Sequence, residues 1–165
     1  HLMHMSIEQF TAVSHDETSY WTSELLLNDD GSWSPKDLVD RLDCTTSEAI
    51  AALDRLTKAK LLRATSPGRY KTRQPGKLWT FPGRSKGMEP LLDRVRGYWD
   101  AMAKRRGGPF GERLELVRAS SSVMRQYMNA LHRAVDEANL AATHAKGEDT
   151  ALFLIEGRVR RLLPF

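Results

Sequence analysis

Ten basic residues lie between Arg55 and Met88: Arg55, Lys58, Lys60, Arg63, Arg69, Lys71, Arg73, Lys77, Arg84 and Lys86. No Asp or Glu interrupts them, and Asp54 and Glu89 bracket the stretch. Lys and Arg can neutralise phosphates and release their counterions, so a run of one sign points to a polyanionic partner. Within the run, Arg69, Lys71 and Arg73 alternate. Alternate residues of an extended strand share a face, so this spacing predicts three cations on one side and Tyr70 and Thr72 on the other.

The elements that must carry these charges can be read from helix and turn signals. Three S/T-x-x-[D/E] boxes occur, at Ser14 with Glu17, Ser34 with Asp37, and Thr45 with Glu48. In each, a hydroxyl can accept an orphan N–H of a first helical turn while the acid sits at the positive end of the helix dipole. Pro35 strengthens the second start. The periodicity predicts helices over 15–27, 35–42 and 46–60, the last with Ile50, Leu53 and Leu56 as its buried stripe. Its other face would show Ser47, Glu48, Ala51, Asp54, Arg55 and Lys58. Two β-capable runs around Ser66-Pro67-Gly68 predict a hairpin over 63–73.

Further along, Pro75, Gly76, Pro82, Gly83 and Gly87 punctuate a connection over 74–87 that also holds Trp79 and Phe81. A fourth helix is expected from Pro90 to Arg106, stopped by Gly107-Gly108-Pro109. Residues 114–117 alternate like a strand, and 121–145 read as a long helix with Met124, Tyr127, Met128, Leu131, Val135, Ala138 and Ala142 inward. Residues 151–163 read as a strand or hairpin split by Gly157. The expected fold class is therefore α+β, mainly helical: a winged helix-turn-helix followed by a small strand-helix-strand module with long helices.

The chain has 165 residues, is 41% apolar and 28% charged, and carries a net charge of +4. That composition fits a globular protein, and no apolar run reaches the roughly 18 residues a bilayer span needs. The single cysteine, Cys44, excludes an internal disulfide framework and a thiolate zinc cluster. The opening residues 1–4 resemble an expression-tag remnant, with Met5 as the expected natural start. The expected organisation is then 5–73 as a DNA-binding domain, 74–87 as a linker, and 88–165 as a dimerisation or sensing domain. The expected compartment is the cytoplasm.

Other groupings carry less chemistry. Asp149, Glu156 and Arg158 loosely follow a D…E-x-K metal-nuclease pattern, but a guanidinium is too basic to trade protons where lysine would assist. His132 and His144 sit about 18 Å apart on one expected helix and cannot share a metal within one chain. Cys44, between two helices, reads as a small buried filler. Arg158, Arg160 and Arg161 form a candidate second basic patch for DNA, an acidic helix or a phosphorylated ligand. No catalytic set, metal site or cofactor site emerges, so the chain is not expected to be an enzyme.

A resemblance adds to this reading. Tyr20-Trp21 with Glu24-Leu25-Leu26, Ser47-Glu48-Ala49 through Leu53, Leu56 and Lys60-Leu61-Leu62, the 95–103 segment, Glu112-Arg113 and the terminal Leu162-Leu163-Pro164-Phe165 carry it. Over 14–165 the chain resembles predicted bacterial transcriptional regulators with an N-terminal winged helix and a C-terminal region of unknown function. The helix-turn-helix part is similar to MarR-like regulators, which bind DNA as homodimers. Lys60 stands where their third helix is usually followed by glycine, and Tyr20-Trp21 replaces their aromatic-His pair.

The expected function is sequence-specific binding of double-stranded DNA by a homodimeric transcriptional regulator. Thr46, Ser47, Ala51 and Arg55 would read bases in the major groove, while Glu48 completes its capping box. Lys58, Arg63, Arg69, Lys71, Arg73 and Lys77 would hold the phosphate backbone. The competing expectation is a winged-helix adaptor that binds an acidic protein or a phosphorylated ligand.

Overall fold

A computed structural model of the chain describes residues 2–74, 78–80, 87–106 and 120–142. They fall in two compact units, His1–Arg105 and Arg106–Phe165. The described residues are mainly helical, with a small antiparallel sheet, an α+β composition.

In the first unit, strand β1 (Leu2–His4) precedes helix α1 (Ile7–Val13). Ser6 caps α1 through a full capping box: its hydroxyl accepts from Gln9 N, and Gln9 Oε1 accepts from Ser6 N. Helix α2 (Glu17–Leu27) follows, and its N-cap is Asp16, whose carboxylate accepts from Ser19 N at 2.7 Å. Ser14, the expected cap, instead ends α1 and turns its hydroxyl back to Phe10 O. Helix α3 (Pro35–Leu42) and helix α4 (Thr46–Lys58) start where their boxes place them, at Ser34 and Thr45.

Strands β2 (Leu62–Ser66) and β3 (Arg69–Thr72) form an antiparallel hairpin. It turns at Gly68, which has a φ of 71° and open space where a Cβ would stand. Between α2 and α3, Trp33 bridges Tyr70 in antiparallel fashion, with N–H to O distances of 2.7 and 2.8 Å. The chain order is thus helix, bridging residue, helix, helix, hairpin. Strand β4 (Leu78–Thr80), within the expected linker, pairs in parallel with β1. The tag-like opening therefore takes part in secondary structure.

The core is built mainly from helix faces, with Phe10, Leu26, Leu38, Leu53, Leu56, Leu61 and Leu62 fully enclosed. Each such side chain contributes about 1.5–3 kcal/mol by leaving water. In α4 the buried stripe is Ala49, Ala52, Leu53 and Leu56. The expected anchor Ile50 is 45% exposed instead. Small Ala49 takes the inward place, which turns Ile50 outward, because successive helix residues are separated by about 100°.

Helix α5 (Glu89–Arg106) belongs to this first unit, not to the second. It buries Val95 in the same core, where Met88, just before its start, is also buried. Tyr98 Oη and Arg94 Nη1 both donate to Ser14 O, at 3.1 and 3.3 Å. Trp99 Nε1 donates to Tyr20 Oη at 2.6 Å, and Arg105 pairs with Glu17.

Lys60 closes α4. Its φ of 62° lies in the left-handed region. Leu61 N bonds Leu56 O and Lys60 N bonds Thr57 O, the pattern of a Schellman cap. A side chain with a Cβ is strained there, and glycine is not. Lys60→Gly is expected to raise stability by about 1 kcal/mol and the melting temperature by several degrees. An unchanged or lowered melting temperature would show that Lys60 carries no strain.

In the second unit, Ser120 opens helix α6 (Ser121–Ala142) by accepting from Val123 N. Met124, Met128, Leu131 and Val135 are half-buried at helical spacing, whereas Tyr127 and Ala138, expected inward, are exposed. The expected strands at 114–117 and 151–163 lie outside the described residues. No helix among the described residues is long and apolar enough to cross a membrane.

Candidate nucleic-acid interface

Helix α4 turns a continuous stripe outward: Ser47, Ile50, Ala51, Asp54 and Lys58, all exposed. These positions recur at three and four residues, and Thr46 stands exposed at the start. Glu48 is committed to the cap. Its carboxylate accepts from Thr45 N and Oγ1, each at 2.7 Å, and these bonds hold its pKa below the usual range. It therefore offers little to a base edge.

Arg55, an expected base reader, is half-buried and turned toward α2. Its Nη1 donates to Asp16 Oδ2 at 2.7 Å and also to Ser19 Oγ. One carboxylate thus caps α2 with one oxygen and holds the guanidinium with the other. Asp16→Ala is expected to cost about 1–2 kcal/mol, combining a lost cap with a partly exposed ion pair. Asp16→Ser retains a capping hydroxyl and should recover most of that loss. Urea midpoints of the two variants check this, and equal losses would contradict the capping role.

The hairpin divides its cations among different tasks. Arg69 donates to Ser32 O at 3.0 Å and to Asp37 Oδ2 at 3.1 Å. Asp37 already accepts from Ser34 N and Oγ, and with Arg69 these bonds lower its pKa. Arg73 Nε donates to Leu62 O at 3.0 Å, strapping β3 to β2. The three-cation face expected from the alternation is therefore not presented as a set: Arg69 and Arg73 anchor the hairpin.

Lys71 stands directly opposite Arg63 across the ladder. Cross-strand partners share a face, so these two cations lie side by side. Neither has an ion-pair partner among the described residues, and the same holds for the exposed Lys58. Lys77, Arg158, Arg160 and Arg161 lie outside the described residues, as do Asp149, Glu156 and His144.

Beside the start of α4, a cleft of about 510 Å³ is lined by Asp16, Glu17, Asp43, Glu48, Cys44 and Arg105 among others. Burial, then Glu48 and Asp43, push the Cys44 thiol up, so it stays protonated and a poor nucleophile. No group of three potential metal ligands occurs among the described residues.

Sequence reasoning missed Ile50 at the centre of the exposed stripe and Asp16 as the residue that holds Arg55. The short helix-capping pattern at Asp16 was available; the pairing with a residue far along the chain was not. Comparison with known protein families, curated proteins and solved structures finds no match to this chain.

Proposed function

We infer that the first unit is a winged helix-turn-helix that binds double-stranded DNA, and that the chain is a cytoplasmic transcriptional regulator of the kind its sequence resembles. The observation that carries this reading is the Arg63–Lys71 pair. Like charges directly opposite on a ladder destabilise it, so a pair with no acidic partner among the described residues is best accounted for by an anion that binds there. A phosphate backbone is such an anion.

The order of elements supports the same reading. Helices α2, α3 and α4, the Trp33–Tyr70 bridge and the β2–β3 hairpin follow the sequence of parts in a winged helix. The left-handed Lys60 fits the place where related regulators use glycine. In this arrangement α4 enters the major groove with Thr46, Ser47 and Ala51 toward base edges. Lys58, Arg63 and Lys71 meet phosphates. Arg55, Arg69 and Arg73 serve first to hold the scaffold. A homodimer fits this use, because one helix reads few base pairs and a two-fold operator doubles the contacts.

Selection of bound duplexes from a random pool tests the reading. Enrichment of a two-fold symmetric motif is the expected result. A pool without enrichment, joined to capture of an acidic protein by the same surface, would replace the regulator with an adaptor.

A further inference from the structure

We propose that Ile50 reads the C5-methyl group of thymine, so that thymine is the base this interface specifies most strongly. The inference rests on the DNA-binding reading above and deepens it.

Ile50 is 45% exposed, and among the residues of the first unit whose side chains are described only Ile7, at 55%, is a comparably exposed large hydrophobic. It lies at the middle of the outward stripe, with Ser47 one turn before, Ala51 beside it and Asp54 one turn after. An apolar branched side chain gains nothing from water there and gains by being covered.

The residues around it narrow what can cover it. Bidentate reading of guanine needs a long donor such as Arg or Lys. The only such residue within α4 before Lys58 is Arg55, and Asp16 holds it. Glu48 is held in its cap. What the first turns of α4 can offer a groove is therefore the Ile50 and Ala51 methyl groups, the Thr46 and Ser47 hydroxyls, and the Asp54 carboxylate.

On the major-groove edges of the base pairs, the apolar feature is the thymine methyl. Charge favours a duplex as the occupant: Lys58 stands on the stripe, Arg63 and Lys71 stand on the hairpin that follows α4, and none of the three has an ion-pair partner among the described residues. Lys58 lies about 12 Å along the helix from Ile50, close to the groove's width, so one can meet the wall while the other meets the floor.

The test uses the full chain and a duplex recovered from a random pool, with each thymine replaced in turn by deoxyuridine. Wild type is expected to lose about fourfold in affinity at one or two positions, the worth of one buried methyl. Ile50→Ala should bind the parent duplex more weakly and show no further loss at those positions, with an unchanged salt dependence. Ile50→Val should fall between them. Because Ile50 is exposed, both variants are expected to fold, which a thermal melt checks. Equal deoxyuridine losses in wild type and Ile50→Ala would overturn the assignment, as would a recovered motif indifferent to thymine. Recovery of no duplex at all would instead remove the DNA-binding reading on which it rests.

Discussion

Replacing Arg63 and Lys71 together by Ala is expected to weaken binding to every DNA sequence by a similar factor and to flatten its salt dependence. Each phosphate contact contributes about 0.9 to the slope of log affinity against log salt, so losing two lowers the slope by about 1.8. Between 50 and 200 mM salt, the double variant should lose about twelvefold less affinity than wild type does. The two residues face each other on the ladder and have no acidic partner among the described residues. Their removal also relieves a like-charge contact, so the variant should be no less stable than wild type. Anisotropy titrations over a salt series, with a thermal melt on the same samples, check both halves. An unchanged slope would mean that the hairpin does not touch the backbone. By contrast, Arg69→Ala removes an anchor to Ser32 and Asp37, and should lower stability as well as affinity.

The second large effect concerns pH. Glu24, on α2, is half-buried as a residue, yet its carboxyl group is enclosed, and burial pushes its pKa up to about 7. Tyr20 partly opposes this by donating a hydrogen bond to the carboxylate, while accepting one from Trp99 Nε1. Burial and the neighbouring Glu24 in turn push the Tyr20 hydroxyl up, so it remains protonated. The folded chain thus holds a proton on Glu24 between pH 4.5 and about 7, where the unfolded chain has released it. Stability from this group is greatest below about 4.5, falls as pH rises through that window, and levels above 7. The loss across the window is about 3 kcal/mol. Glu24→Gln keeps an acceptor for Tyr20 and removes the titration. Its stability relative to wild type should therefore grow by about 3 kcal/mol from pH 4.5 to 8. Urea unfolding of both proteins at several pH values measures this difference directly, cancelling the opposite trends of Asp37 and Glu48. Parallel curves would show that the carboxyl is not desolvated.

What was legible in the sequence was local chemistry. Ser34-Pro35 with Asp37 and Thr45 with Glu48 mark their helix starts correctly, because a cap needs only residues three apart. Ser66-Pro67-Gly68 marks the hairpin turn for the same reason. The errors came from competition and from distance. Ser14 matches the cap pattern, but Asp16 offers two oxygens and uses both. Ser6 with Gln9 carries the same signal for α1, three residues apart and beside a tag-like opening.

Periodicity places Ile50 in the core because it weighs hydrophobicity above size. Ala49 is fully enclosed in the core on which α4 packs, where a small side chain allows close approach. The fate of the basic residues could not be read locally. Arg55 meets Asp16 across 39 residues and Arg69 meets Asp37 across 32. Alternation picks out cations by spacing alone, but only tertiary partners decide which of them remain available. That sorting leaves Arg63 and Lys71, rather than Arg69 and Arg73, as the hairpin cations proposed to meet phosphate.

The proposed role of Lys58, Arg63 and Lys71, which lack an ion-pair partner among the described residues, is to meet the DNA backbone. Retardation of random genomic fragments by the purified full chain at about 50 mM salt tests it most directly, since backbone contacts act on any sequence when screening is weak. The expected result is retardation that fades steeply as salt is raised toward 200 mM. Fragments that migrate unshifted at 50 mM, with the protein folded and in excess, would contradict it.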